Sequence, residues 1–205
     1  MQEKEVFLKK IYKFINFFYS VTLIFIVTTS YALETNQNIK GYLLEHFSEI
    51  SAFSSSFIQT NGITIEEGKL YLKNKRLRIE YTNPSNILII VTKNKGMYFN
   101  KDLEEIEYFN PQNSIANIFF RVFYDHSFFD NAKYVNQQKT LMITKKIYLD
   151  NDEIKMKVFF EKSPLVIRKL EMESINGTTT YSIINPNFNP SLENKFFSLA
   201  NPLLS

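Results

Sequence analysis

The chain has 205 residues, which is enough for one domain with a sizeable hydrophobic core or for two small ones. Its 24 Lys and Arg nearly balance its 21 Asp and Glu, and a formal net charge of +3 gives no electrostatic footprint for nucleic acid. The absence of cysteine excludes disulfides, thiolate metal sites, cysteine nucleophiles and acylation of a lipoprotein cysteine, whereas the aromatic content is high at 16 %.

The beginning of the chain has the pattern of a secretory signal peptide. Basic residues up to Lys13 precede residues 14–29, an almost charge-free run rich in Phe, Ile and Val. Ser30-Tyr31-Ala32 then supplies the small residues that a signal peptidase recognises. The alternative is a membrane anchor, because an apolar run of about sixteen residues comes close to spanning a bilayer. The pattern favours a cleaved signal over residues 1–32 and a single exported domain over residues 33–205, working in the periplasm.

An amphipathic helix is predicted next, from about Asn36 to Ala52. Its apolar residues fall at spacings of three and four, with charged residues on the other side. A first strand follows over residues 54–60, and residues 63–65 are expected to extend it up to a turn at Glu66-Glu67-Gly68. The apolar face of the helix needs a surface to cover, and this strand is expected to begin that surface.

Residues 68–96 are interpreted as three consecutive strands. In the second of them, apolar and charged residues alternate strictly: Leu77, Ile79 and Tyr81 against Arg76, Arg78 and Glu80. This alternation predicts one apolar face and one solvated, charged face. A turn around Pro84 ends that strand, and the third strand, residues 87–91, is apolar on both faces.

Further strands and one more helix are predicted downstream. Residues 97–110 are interpreted as a hairpin that ends at Pro111, and residues 114–124 carry apolar side chains at helical spacing. The sheet then resumes in four strands with turn residues between them, over residues 140–149, 154–160, 165–175 and 178–184.

These elements sum to nine or more mostly antiparallel strands with two helices, a mainly β fold of the α+β class. No strand–helix–strand alternation and no internal repeat is visible. A single sheet of that many strands curls, so the prediction is an incomplete antiparallel β-barrel, or half-barrel, covered by the two amphipathic helices. Its apolar interior is either a packed core or a container, and periodicity does not distinguish the two.

Several short segments, through their order and spacing, resemble one protein family. They are Phe53-Ser-Ser-Ser-Phe57-Ile-Gln59, Glu67-Gly68-Lys-Leu70-Tyr71-Leu72-Lys73, Arg76-Leu77-Arg78-Ile79-Glu80-Tyr81, Pro84, Leu88-Ile-Ile-Val91, Lys95-Gly96-Met97-Tyr98-Phe99-Asn100 and Phe196-Phe197-Ser-Leu199-Ala-Asn-Pro202. Together they cover nearly the whole chain after residue 32, and they resemble the periplasmic lipoprotein carriers of the LolA family. The family's sister receptor is anchored through an N-terminal cysteine, so a chain without cysteine resembles the carrier.

The resemblance implies a half-barrel whose helical lid encloses a hydrophobic cavity for the acyl chains of a lipoprotein. It implies that the protein takes acylated lipoproteins from an inner-membrane Lol ABC transporter and passes them to an outer-membrane lipoprotein receptor, as a monomer and without a cofactor. The residues expected to line the acyl-chain cavity are Phe57, Leu70, Leu72, Leu77, Ile79, Tyr81 and Ile89. The residues expected on the lid are Ile115, Ile118, Phe119 and Val122.

The chain departs from the family pattern after Lys73. Family members usually carry an Arg-Pro pair there, and that arginine holds the lid shut. This chain has Asn74-Lys75 instead. The candidates for contacting the lid in its place are Lys73, Lys75 and Arg76.

No enzyme pattern is present in the sequence. His46 and His126 are the only histidines, and Asp125-His126-Ser127 in direct succession cannot form a hydrolytic triad. Two distant histidines without cysteine do not make a metal site, and no Gly-rich phosphate loop occurs. We therefore expect no catalytic residue, metal or cofactor. Two hypotheses follow, a lipoprotein carrier and a periplasmic lipid-binding or structural envelope module with the same half-barrel.

Overall fold

A computed structural model of the protein describes residues 37–149 and 152–204. The predicted signal segment, residues 1–32, lies outside these residues. The chain divides into two compact units, Met1–Leu43 and Leu44–Ser205. Helix α1 spans residues 37–48, so its first part belongs to the first unit and its last turn to the second. In the described part of the chain, no helix combines the length and the apolar character needed to cross a bilayer.

The described residues of the second unit contain eleven strands and helix α2. The strands are β1 Ala52–Thr60, β2 Ile65–Lys73, β3 Arg76–Asn83, β4 Ile87–Val91, β5 Gly96–Asn100, β6 Glu105–Phe109, β7 Lys133–Asn136, β8 Thr140–Leu149, β9 Asp152–Lys162, β10 Leu165–Ser174 and β11 Gly177–Phe188. Helix α2 spans Ile115–Tyr124, between single 3-10 turns at Pro111–Asn113 and His126–Phe129. The prediction of nine or more antiparallel strands is confirmed, and it lacks only β7, which is too short to show an alternation.

The strands form one antiparallel sheet in the order β6-β5-β4-β3-β2-β1-β11-β10-β9-β8-β7. The chain starts in the middle with β1 and moves strand by strand to one edge at β6. It then crosses to the other edge at β7 and returns to the middle, where β11 pairs with β1. Among the described residues β6 and β7 do not pair, so the sheet is an open half-barrel, as predicted. The crossing segment contains α2, and its path from edge to edge lays the helix across one face of the sheet.

Helix α1 ends earlier than the sequence predicts. It stops at residue 48, and Ala52 already belongs to β1. The side-chain oxygen of Asn189 accepts hydrogen bonds from the backbone N–H of Ser51 at 2.7 Å and of Ala52 at 3.3 Å. A residue distant in sequence thus takes the donors that a longer helix would have used for its own ladder.

The turn predicted at Glu66-Glu67-Gly68 is wrong, because β2 runs through these residues. The turn lies earlier, where the side-chain oxygen of Asn61 accepts hydrogen bonds from the backbone N–H of Ile63 and Thr64, at 2.9 and 2.8 Å. Such a side-chain capture is a turn signal of its own. Gly68 instead serves a close approach within the sheet, since a Cβ there would stand 2.8 Å from the Phe57 ring and 2.3 Å from the Glu80 carbonyl oxygen.

The charged face predicted for β3 is solvated only in part, and for Arg78 and Glu80 the prediction is wrong. Their side chains are 19 % and 22 % exposed. They lie beneath residues 192–199, here called the strap, which follow β11. Arg78 Nη1 donates a hydrogen bond to the Phe196 carbonyl oxygen at 2.9 Å, and its guanidinium lies 4.3 Å from the centre of the Phe196 ring. The strap therefore covers the face that local alternation assigns to water.

Candidate functional site

The seven residues predicted to line a cavity lie on one face of β1–β4. Antiparallel pairing sets Leu72 opposite Leu77 and Leu70 opposite Ile79, and β4 adds Ile89 opposite Ile79. Directly paired residues share a face, and alternate residues along a strand return to it. The register thus brings the seven together from four strands. We call this side of the sheet the lidded face.

Helix α2 covers the lidded face. Phe119 packs edge-on against Tyr181 of β11 at a ring separation of 5.7 Å, and Phe123 lies 4.9 Å from Phe53 of β1. Three of the four predicted lid residues, Ile118, Phe119 and Val122, are at most 2 % exposed. Ile115 is the first residue of the helix, and its side chain is outside the described part of the structure.

The residues predicted to line the cavity make up only half of this face. Strands β8–β11 contribute buried residues that continue it: Ile143, Met156, Val158, Phe160, Leu170, Tyr181 and Ile183. The predicted lid set also leaves out Phe123, which contacts Phe53 and, at 5.4 Å, Phe47 of α1. The alternation in β9, with apolar residues at every second position, is the local signal for part of this set.

The lidded face is closely packed in this structure. Leu72 and Leu77 are 0 % exposed, Leu70 and Ile79 1 %, and Phe57 and Tyr81 3 % and 8 %. Ile89 is the exception and is partly exposed. Side chains without accessible surface adjoin their neighbours rather than a water-sized void. A long apolar ligand can therefore reach this face only when α2 moves away from it.

A small polar group interrupts the apolar face. The Tyr81 hydroxyl donates to the side-chain oxygen of Gln59 at 2.8 Å, and the Gln59 side-chain NH₂ donates to Glu66 at 2.7 Å. Burial raises the pKa of Tyr81 to about 12 and raises the pKa of Tyr181 well above its usual value. Ser55, opposite Leu70 in the β1–β2 pairing, also has a buried hydroxyl, which has no hydrogen-bond partner among the described residues.

The three candidate lid-contacting bases lie in different surroundings. Lys73 Nζ donates to the Leu192 carbonyl oxygen of the strap, on the face opposite α2. Asn74 and Lys75 form the tight β2–β3 turn, with φ of +50° and +56°. Burial raises the pKa of Tyr124 at the end of α2, and the nearby Lys75 backbone partly offsets that rise. Arg76 lines a pocket beside the strap.

The two histidines lie on different elements. The His46 ring is 5.7 Å from Phe47 and 5.6 Å from Phe188, and burial lowers its pKa, with a smaller opposing effect from Glu49. His126 begins the 3-10 turn after α2. Within the part of the chain that the structure describes, no group of three His, Asp or Glu could hold a metal ion.

Comparison with known proteins gives one family and a set of similar folds. The sequence profile of the family described as outer membrane lipoprotein carrier protein LolA matches residues 48–200. No curated protein matches the sequence.

Among solved structures, an uncharacterized conserved protein from Thermus thermophilus has a TM-score of 0.52 at 7 % identity, over 78 % of this chain and 91 % of that one. This similarity concerns the fold alone. MucB in the MucA/MucB complex of Pseudomonas aeruginosa has a TM-score of 0.43 at 8 % identity, over 78 % of this chain and 60 % of that one. A DUF1329 family protein from Desulfovibrio piger has a TM-score of 0.41 at 8 % identity, over 81 % of this chain and 97 % of that one.

Proposed function

The chain belongs to the LolA family of outer membrane lipoprotein carrier proteins, and on this premise we propose that it is a periplasmic carrier of lipoproteins. It encloses the acyl chains of lipoproteins released from the inner membrane by a Lol-type ABC transporter and delivers them to an outer-membrane receptor. The observation that carries the proposal is the lidded face, an apolar surface of eight strands covered by helix α2, which lies in the segment that connects the two edges of the sheet.

Transport of acyl chains through water requires such an enclosure. Each buried methylene contributes about 0.8 kcal/mol, so a chain of about sixteen carbons resists leaving a bilayer by roughly 12 kcal/mol. An apolar interior offsets this cost by providing a comparable environment. The interior must also release its cargo, which favours a cover that opens at a modest free-energy cost.

Helix α2 is suited to act as this cover. Its contacts with the sheet are mainly between apolar rings, such as Phe119 with Tyr181 and Phe123 with Phe53. Such contacts are non-directional, so acyl methylenes can replace them as the helix moves. The proposed cycle exchanges α2 for acyl chains on the lidded face.

The test is release of lipoproteins from spheroplasts. The protein is purified after export to the periplasm of an expression host and added to spheroplasts that are synthesising an outer-membrane lipoprotein. We expect the acylated lipoprotein to appear in the soluble fraction as a one-to-one complex, and the same lipoprotein without its acylated cysteine to give no complex. Failure to release cargo, together with failure to take up a fluorescent fatty acid, would overturn the proposal.

A second candidate function is favoured by the close packing of the lidded face, where Leu72 and Leu77 have no exposed surface. A permanently filled half-barrel would serve as a structural or partner-binding envelope module. A permanently filled protein takes up no fluorescent fatty acid at any temperature below unfolding, whereas a carrier binds it saturably.

A further inference from the structure

The outer side of α2 borders a basic pocket that the lidded face does not include. The pocket has a volume of about 370 Å³ and is lined by Lys75, Lys93, Arg121, Phe120, Tyr124 and Asp125, with Asn117 beside them. Lys75 comes from the β2–β3 turn, Lys93 from the β4–β5 turn and the remaining residues from α2 and its end. Three separate elements thus bring three bases together at one end of the sheet.

Among the described residues, these bases have no acidic partner, because no carboxylate there forms an ion pair with Lys75, Lys93 or Arg121. Several other bases on the sheet are paired, as Lys169 is with Glu171 at 2.6 Å. The carboxylate in the pocket, Asp125, instead accepts hydrogen bonds from the backbone N–H and the hydroxyl of Ser127, at 3.0 and 2.7 Å. Within the described part of the chain, the pocket therefore has an excess of positive charge, which an anion would neutralise.

The positive charge continues beyond this pocket. A second depression of about 730 Å³ shares Lys75 and Lys93 with it and adds Arg76 and Lys195. Lys195 is paired with Glu193 at 2.8 Å, whereas Arg76 has no ion-pair partner among the described residues. The end of the sheet that carries the β2–β3 and β4–β5 turns is thus a basic surface with the pocket at its centre.

The wall that α2 contributes is aromatic. Phe120 and Tyr124 are partly exposed and their rings lie 6.3 Å apart. Lysine ammonium groups and an arginine guanidinium are the usual partners of phosphate oxygens, the guanidinium through two parallel hydrogen bonds. Aromatic rings beside a polar group are typical of side chains that lie at a membrane–water interface. A phosphate that is attached to an apolar group fits the basic side chains and the aromatic wall together, whereas a free anion fits only the basic side chains.

We propose that this pocket binds the phosphate of an anionic lipid headgroup, and so places the protein on a membrane surface with α2 toward the lipid. The proposal goes beyond carriage of acyl chains, since the site lies on the outer side of the helix and uses none of the lidded-face residues. Neighbouring bases at a membrane surface act together through charge, so the binding weakens as salt screens them.

The experiment measures co-sedimentation of the full protein with phosphatidylcholine vesicles, with and without phosphatidylglycerol. We expect binding only to the vesicles that contain phosphatidylglycerol. The triple variant Lys75→Gln/Lys93→Gln/Arg121→Gln should bind them at least about tenfold more weakly, as expected from the loss of three interfacial charges. The double variant Lys75→Gln/Lys93→Gln changes exposed residues alone and should show a smaller loss in the same direction.

The matched control removes three positive charges from lysines outside the pocket. Lys101, Lys133 and Lys139 are exposed and have no ion-pair partner among the described residues. Their triple substitution by Gln should leave vesicle binding within about twofold, and equal losses in the two triple variants would overturn the site in favour of net charge alone.

Two further arms separate the sources of phosphate and the two proposals. Soluble dihexanoylphosphatidylglycerol should inhibit vesicle binding at lower concentration than inorganic phosphate does. Equal inhibition by the two would overturn the lipid headgroup as the ligand. The Lys93→Gln variant, which changes neither α2 nor a lid-contacting candidate, should bind the vesicles more weakly and still take up a fluorescent fatty acid, so a failure of the headgroup site is distinguishable from a failure of the carrier function.

Discussion

The half-barrel has an apolar surface on each side, and the two are covered by different kinds of contact. On the lidded face, α2 is held by ring packing, as between Phe123 and Phe53 and between Phe119 and Tyr181. On the opposite face, the strap packs on four buried residues of the sheet, Leu88, Ile90, Met97 and Phe99, and contributes the buried Phe197 to the same cluster.

The strap is also fixed by directional hydrogen bonds. Arg78 donates to the Phe196 carbonyl oxygen, Lys73 to that of Leu192, and Tyr108 to that of Leu199 at 3.1 Å. Hydrogen bonds break when their partners shift by a fraction of an ångström, whereas apolar contacts can be exchanged for others. The comparison predicts that α2 moves away from the sheet more easily than the strap does.

The largest difference is expected between Phe123→Ala on α2 and Phe197→Ala in the strap, since these rings are 4 % and 3 % exposed. Removing a buried phenylalanine ring costs about 3–5 kcal/mol. In the strap the loss should appear in the global free energy of unfolding, measured in urea. On α2 it should appear as local opening, with α2 amides exchanging hydrogen at least about a hundredfold faster while the sheet amides stay protected. Exchange of α2 and sheet amides at one common rate in both variants would contradict the comparison.

The second prediction concerns ligand binding and uses two partly exposed isoleucines. Ile89 lies on the lidded face, opposite Ile79, whereas Ile106 packs against the cluster beneath the strap. Ile89→Glu places a charge where an acyl chain is proposed to lie, so the Kd for a fluorescent fatty acid should rise at least about tenfold. Ile106→Glu should leave that Kd within about twofold. Circular dichroism checks that both variants retain the sheet, and an equal rise in Kd would contradict the assignment of the acyl site to the lidded face.

The third prediction tests the hydrogen bond that Arg78 donates to the strap. Arg78→Met removes the hydrogen bond to the Phe196 carbonyl and leaves Glu80 without its partner under the strap. The free energy of unfolding should fall by about 1–3 kcal/mol. Arg168→Met is the matched control, because Arg168 and its partner Glu161 are each 46 % exposed, and it should change stability by less than about 1 kcal/mol. Fatty-acid binding should be unchanged in both.

The smallest expected effect is the loss of stability at high pH that comes from a buried tyrosine of the lidded face. Burial raises the pKa of Tyr81 to about 12, above the usual value of 10.0. Between these values the folded protein keeps a proton that the unfolded chain loses, so this contribution to stability is complete below pH 10 and disappears as the pH rises through about 12. Between pH 10 and about 12, the free energy of unfolding measured in urea should fall more steeply with pH for the wild type than for Tyr81→Phe. The control Tyr148→Phe changes an exposed tyrosine and should show the same pH dependence as the wild type. If Tyr81→Phe also shows that pH dependence, the loss of stability does not come from Tyr81.

Local sequence determined most of the strands and the members of the lidded face on β1–β4. A strand turns successive side chains to opposite faces, so the apolar set Leu77, Ile79 and Tyr81 was fixed once β3 was recognised. The helical spacing of α2 likewise fixed the side on which Ile118, Phe119 and Val122 lie. Both patterns have periods of a few residues, which is why one sequence is enough to find them.

Tertiary structure alone decided which surface meets the charged side of β3. Arg78 is paired with a carbonyl 118 positions later in the chain, and no local period links the two. The two halves of the lidded face, on β1–β4 and on β8–β11, are also far apart in sequence. They join only where β1 pairs with β11, after the chain has crossed from one edge of the sheet to the other. Alternation along a strand predicts which residues share a face. Which segment covers that face depends on contacts between residues far apart in sequence, and these contacts form only when the whole sheet has formed.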